Sequence, residues 1–542
     1  MIERLLENWL IRANERSFQI PFCHWLAYSG HTVVHLSRHC AMEMGKDVLT
    51  IAPDGVPCAY QLKGVEGSGR MTLSKWREDL SSQLHPLVHR KIVHPSIPPG
   101  KHHRSYIVIN GELSEEVVRD IDDFNRSNAD SGFSDRKVEV IVRGQLFQGF
   151  KDLQSDFWAT NLGDLKTYLE LYLEDGRGQL PKEKLSTLFE ASLPIKNVDG
   201  KPPSKNEIAK SAAGCAIICA SSISAFTNAK NHLAEFEAWT MYWGYILALV
   251  ERWGLPLKHL QFATEVALEA MYSALARLCD ELIERQEYSE GNILADRHVY
   301  EVRMTHLLGL MGIYGLWRAR RIRQGVEVED QDRDKFLRRF SEERSKSLRM
   351  WGEYAIPQFL AYNFYRRTFD PSPATDFLYC SLIEVIIEQN GKSEGLLANP
   401  YYDAESYLPH LIGLDTQGLE DSFRGSSYFL EGLLHLFVRS NWKQKVASIF
   451  PDITRMGMRH YAPAEPWRNY LFRDRSGKSY HRFWKLPYSW DALRTEASED
   501  RGDDIPESIK ENPIGYLCFL CVYPHRVNSS GLRWVSSRLL DG

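Results

Sequence analysis

Two regimes of hydrophobic spacing divide the chain. Up to about residue 150, short β-branched or apolar runs alternate with stretches of helical spacing. Arg16–Ser29 carries Phe18, Phe22, Trp25 and Leu26 at helical steps and meets Gly30, a residue suited to a helix C-terminus. Thr32–Leu36 reads as a short strand. Asp47–Ala52 and Val56–Lys63 read as two strands joined by Pro53-Asp54-Gly55, a hairpin signal. Thr72–Leu87 reads as one helix stopping near Pro86. Ser105–Ile109 reads as a buried strand ending at Asn110-Gly111, Leu113–Asn125 as a helix with Ser114 as its cap, and Val138–Val142 as a closing strand. A hairpin followed by alternating elements implies an α/β layer: a mixed sheet flanked by helices.

Beyond residue 150 the spacing is helical. Leu233, Phe236, Trp239, Trp243, Ile246 and Val250 recur at steps of three and four, and Gly254 and Pro256 stop the run. Similar periodicity marks Phe262–Ile283, Val299–Ile322 and Asp376–Glu388. Breaks fall at Asp175–Pro181, Val198–Ser204, Thr368–Pro373 and Asn399–Asp403 without a fixed repeat length, which argues against a solenoid. Domains are therefore expected at 1–150 (α/β), 151–400 (helical) and 401–542 (helical and aromatic-rich).

Composition narrows the class. At 542 residues, with 43% hydrophobic and 25% charged residues, the chain has the make-up of a multi-domain globular protein. The most apolar stretches, Ala212–Phe226 and Trp239–Val250, are short and interrupted, so no membrane span is expected. Nine cysteines and no secretory leader pattern fit a reducing cytoplasm. Cys518 and Cys521 form a CxxC inside the apolar run Tyr516–Tyr523, a setting that favours a buried strand over zinc. A net charge of −5 argues against wholesale electrostatic capture of nucleic acid. Residues 1–150 are balanced, with 18 basic and 18 acidic side chains, which leaves room there for a local phosphate-facing groove.

The hairpin concentrates the chemistry. A turn at Asp54-Gly55 sets Asp47 beside Gln61 and Leu62, and strand alternation puts Gln61 and Lys63 on one face. An acid, an amide oxygen and an ammonium then meet at the hairpin's open end. Phosphodiester hydrolysis uses such a set: a carboxylate and a second oxygen for a divalent cation, and a lysine to orient water or stabilise charge on phosphorus.

Phe18-Gln19, the helix ending at Gly30, Val33-Val34, Gly45-Lys46-Asp47, Tyr60-Gln61-Leu62-Lys63 and Ile109-Asn110-Gly111 carry a family resemblance. Residues from about 10 to 150 resemble the PD-(D/E)XK nuclease superfamily, nearest to its Mrr-like restriction-endonuclease branch, where QxK often replaces (D/E)xK. The resemblance implies a restriction-endonuclease-like α/β domain followed by a large, mostly α-helical region for recognition or regulation. It implies Asp47 as central metal ligand, Gln61 as second ligand, Lys63 as catalytic lysine, and Mg2+ or Mn2+ as cofactor. The implied activity is endonucleolytic cleavage of DNA, with RNA left open, in restriction or antiphage defence. A protein partner or a second copy would bind through the helical region.

One position departs from the pattern. Many relatives have Glu directly after the helix Phe, where this chain has Gln19. Glu15, one turn earlier on the same face, is a candidate to replace it, and Glu43 is another. The rival expectation is a catalytically inactive nuclease fold serving as an interaction subunit of a nucleic-acid complex.

Other clusters have bland readings beside the sharp ones. His35 and His39 read as partly buried hydrogen-bonding residues before contacts to phosphate or metal. His85, His89, His94, His102, His103 and Arg104 read equally as a nucleic-acid rim or a solvated loop. Arg318, Arg320, Arg321 and Arg323 complement a helix C-terminus. Trp467, Tyr470, Phe472, Phe483, Trp484 and Trp490 read as packed aromatics. Gly477-Lys478-Ser479 lacks the preceding glycine of a phosphate loop.

Overall fold

A computed structural model describes residues 2–36, 46–65, 69–92, 94, 96–97, 102–154, 162–195, 202–285, 297–344, 356–369, 383–384, 386–388, 425–427, 430–439, 441–461, 481–485, 489–498, 505–526 and 529–540. Two compact units, Met1–Ala274 and Leu275–Gly542, divide the chain.

In the first unit α1 (Ile2–Arg12) and α2 (Glu15–Tyr28) precede β1 (Thr32–Leu36), β2 (Val48–Ile51) and β3 (Pro57–Lys63). Asn14 caps α2 by accepting the Ser17 N–H at 2.9 Å. Gly55, at φ +77°, closes the turn between β2 and β3 in a backbone region that a Cβ disfavours. A two-residue β4 (Arg70–Met71), α3 (Leu73–Asp79) and α4 (Ser81–His89) lead to β5 (Arg104–Ile109), β6 (Glu112–Leu113), α5 (Glu115–Asp130) and β7 (Val138–Ile141). The stretch expected as one helix over Thr72–Leu87 is thus two. Leu80, buried in the core, separates them, and the second continues past Pro86.

The main sheet runs β1-β2-β3-β5-β7. β1, β2 and β3 are antiparallel, whereas β5 and β7 run parallel to β3, so the sheet is mixed. β3 is central and buried from Pro57 to Leu62, which fits its nearly continuous apolar sequence. One sheet face packs Leu49, Ala59, Ile107 and Ile109 against Trp76 of α3, Leu80 between α3 and α4, Leu84 and Leu87 of α4, and Val117 and Ile121 of α5. On the other, Phe22 of α2 meets the Tyr60 ring edge-on at 5.3 Å.

Among the described residues seven more α-helices follow: α6 (Arg143–Gln154), α7 (Leu162–Tyr172), α8 (Lys182–Ser192), α9 (Lys205–Ser222), α10 (Ser224–Asn228), α11 (His232–Arg252) and α12 (Gln261–Arg285). The change of spacing at residue 150 falls within this unit, whose end lies inside α12. α9 is buried from Ser211 to Ser222, and its Ala, Gly, Ser and Cys side chains let α2, α6 and α11 approach closely. Its apolar run is therefore a core helix, and so is that of α11.

The second unit contains α13 (Arg297–Arg323), α14 (Gln331–Arg344) and α15 (Ile356–Phe369). α13 presents Gly309, Gly312 and Gly315 to α15. A Cβ at Gly309 would fall 2.5 Å from Gln358 Cα, so this contact requires glycine. Arg318 is buried and holds Asp334, Glu327 at 3.2 Å and the Val328 carbonyl at 3.1 Å, a structural ion network. A small sheet joins β8 (Ser426–Ser427), β9 (Gly457–Tyr461) and β10 (His481–Lys485), with β9 central. The run Tyr516–Tyr523, expected as a buried strand, lies instead in the helix Pro513–Val522. Pro513 in the first turn and the Asn512 cap on Gly515 N–H start that helix, while an unbroken apolar run carries no period to reveal it. Cys518 and Cys521 are free thiols, and the Cys518 thiol is pushed up by burial.

Among the described residues no helix is long and apolar enough to cross a membrane. Trp490 is buried, as expected of a packed aromatic. His39, Glu43, Gly45, Trp467, Tyr470, Phe472, Gly477-Lys478-Ser479, the break at Asn399–Asp403 and most of Asp376–Glu388 lie outside the described residues, as do the side chains of Phe483 and Trp484.

Candidate active site

The hairpin places Asp47 directly before β2, where its N–H donates to the Tyr60 carbonyl at 2.8 Å. Its side chain turns back on β3. Asp47 Oδ2 accepts the Leu62 N–H at 2.7 Å and Gln61 Nε2 at 2.6 Å, and Asp47 is only 4% exposed. A carboxylate fixed by two donors is pre-aimed rather than flexible. Gln61, donating through its nitrogen, leaves Oε1 buried without a hydrogen-bond partner. An acceptor in that state costs about 1–3 kcal/mol, and a cation or a water relieves it.

Glu15 enters from α2. Gly64 follows β3 and lies so close to the start of α2 that a Cβ there would sit 2.9 Å from the Glu15 nitrogen. Asn110, wholly buried after β5, fastens the same corner. It accepts the Val65 N–H at 2.7 Å and donates to the carbonyls of Leu10 at 2.8 Å and Ala13 at 2.7 Å. The conspicuous Ile109-Asn110-Gly111 segment therefore anchors the first helices to the sheet. Half-buried Glu15 has its carboxyl pushed up to about 8. Burial contributes most and the negative charge of Asp47 comes next, with Asp79 adding; Lys63 and Arg16 oppose. A carboxyl raised by burial and by a neighbouring acid is a setting that a divalent cation would reverse.

Lys63 stands at the end of β3 and pairs with Asp79 at 3.3 Å, with both side chains about a third exposed. Such a pair is worth at most about 1 kcal/mol, so the ammonium can exchange Asp79 for a phosphate. Asp79 was not singled out in the sequence. It ends α3 at the unforeseen break before Leu80, and only that break would have marked it. Lys46 was also passed over. It is buried, donates to the Pro86 carbonyl at 2.9 Å, and is held down to about 8, chiefly by burial and then by Arg90.

Gln19 lies one turn beyond Glu15 on α2 and is half-buried, with Nε2 lacking a hydrogen-bond partner. His35 stands in β1 with its ring 6.0 Å from that of His94. Within the histidine cluster, His103 bonds the Leu87 carbonyl at 2.7 Å, and His89 lies 3.1 Å from Asn128 and stacks on His85. Arg104 pairs with Asp54 at 2.6 Å, at the turn end of the hairpin and away from Lys63.

The donor set fits a hard divalent cation: carboxylate oxygens from Asp47 and Glu15 and the unpartnered amide oxygen of Gln61. No protein-family model, curated protein or solved structure matches the chain.

Proposed function

We propose that the first unit is a metal-dependent nuclease of the PD-(D/E)XK type, Mrr-like, that hydrolyses DNA phosphodiesters in a restriction or defence role. The observation that carries this reading is the buried, unpartnered Gln61 Oε1 beside an Asp47 carboxylate held by two donors. The sheet order, with an antiparallel hairpin continued by two parallel strands, supports a restriction-endonuclease-like arrangement.

Asp47, Gln61 and Glu15 would hold Mg2+ or Mn2+. Bound there, such an ion supplies Lewis acidity toward a phosphoryl oxygen and lowers the pKa of a coordinated water. Asp47 keeps its orientation through the Leu62 N–H. Gln61 contributes its amide oxygen while its nitrogen stays on Asp47. Lys63 leaves Asp79 to face the scissile phosphate, where its charge offsets that building on phosphorus. Burial and Asp47 raise the Glu15 carboxyl, and a bound dication would favour its carboxylate form. The DNA and defence assignments rest on the family resemblance, and the helical region's partner role rests on it too.

The test is plasmid DNA with Mg2+ or Mn2+, comparing the wild type with Asp47→Ala and Lys63→Ala. Cleavage by the wild type, lost by at least a hundredfold in both variants, is the expected result; equal cleavage by all three sinks the mechanism. A second reading, a retired nuclease fold in a nucleic-acid-binding complex, is favoured by Gln19 standing where many relatives have Glu. Under it the wild type binds DNA but leaves it intact with either ion.

A further inference from the structure

The second unit holds a cluster that the nuclease reading does not use. Glu431 and His435 lie on the helix Leu430–Arg439, four residues apart and so on one face. The helix Trp490–Ser498 packs on it and brings in Glu496. One ligand atom from each of the three residues lies within 4.8 Å of the other two.

His435 decides how to read them. It is 1% exposed, and both ring nitrogens are buried without a hydrogen-bond partner. A buried imidazole almost always bonds through at least one nitrogen, so this one awaits a ligand. Its Nε2 lies 3.9 Å from Glu496 Oε2. That is too long for a hydrogen bond, and an ion drawing both ligand atoms in to about 2.0–2.1 Å would bring them to roughly 3.4 Å of one another. Arg533 donates to the Glu496 backbone carbonyl at 2.9 Å, which ties down the end of this helix.

We propose that Glu431, His435 and Glu496 form a binding site for a divalent transition-metal ion, Zn2+ in the first instance. An imidazole with two carboxylates suits Zn2+ better than Mg2+, which prefers oxygen ligands and retains several waters. Three protein ligands leave a coordination position for water, as in sites open to exchange.

The full chain is stripped with a chelator and titrated with Zn2+ against a chromophoric competitor. Glu496 is partly exposed, so Glu496→Gln should melt like the wild type in chelator, which separates ligation from folding. The site predicts one Zn2+ equivalent that persists in Asp47→Ala. Its affinity falls at least tenfold in Glu496→Gln and in His435→Asn, and Zn2+ raises the melting temperature of the wild type but not of Glu496→Gln. Wild-type affinity in Glu496→Gln overturns the proposal, as does disappearance of every Zn2+ equivalent in Asp47→Ala. The second outcome assigns the ion to the first unit and leaves the nuclease reading intact.

Discussion

Glu15 is the residue whose ionisation the fold disturbs most usefully. Its ordinary pKa is 4.5, and in the folded chain it is about 8. Between those values the folded state keeps a proton that the unfolded chain has lost. Metal-free stability therefore falls as pH rises from about 4.5 to about 8 and stays low above it. Glu15→Gln abolishes that slope. In chelator its stability should equal the wild type's near pH 4.5 and exceed it by roughly 2 kcal/mol at pH 9, a figure discounted from the full shift because solvent reaches the carboxyl. Denaturant melts across pH measure this, and a constant difference at all pH values refutes the assignment. Asp79→Asn makes the opposite case. Losing a partly exposed pair should change stability by less than about 1 kcal/mol and, under the proposed mechanism, leave cleavage intact, whereas Lys63→Ala should remove it.

At the scale of elements, the site depends on how near α2 comes to the end of β3. Gly64→Ala would push a methyl into the backbone at Glu15, costing about 1–3 kcal/mol and displacing Glu15 from Asp47. Cleavage should fall more than tenfold while DNA binding persists; unchanged cleavage means that Glu15 has no part. The hairpin behind this geometry was plain in the sequence, because Pro53-Asp54-Gly55 and the flanking apolar runs are local signals. Thr32–Leu36 is β1 residue for residue. Asn14 as the α2 cap and Asp79 as the partner of Lys63 were not legible. The first sits in a polar stretch between two helices, and the second depends on a break that Leu80 makes by packing into a distant core. The helix Pro513–Val522 escaped notice because it is apolar on all sides, and only its Asn-Pro start is informative.

At the scale of the molecule, the boundary expected at residue 150 and the compact units call for a truncation. α2 lays one side against the sheet and another against α6 and α9, and a fragment ending at 150 exposes that second side. Residues 1–150 alone should lack a cooperative melt and be digested readily, while residues 1–285, which retain all of α12, should melt in one transition. A cooperative 1–150 fragment with wild-type nuclease activity would show that the sheet needs none of the later helices.

Asn110 has a consequence in time as well as in space. Its amide reaches carbonyls 97 and 100 residues earlier in the chain. The Asp47–Lys63 hairpin is local and can close soon after it leaves the ribosome, but Glu15 is not pinned beside it until β5 has emerged and seated itself along β3. A nascent chain therefore carries the hairpin's groups early and the complete corner late, so the proposed cation site would be whole only once the sheet around it exists.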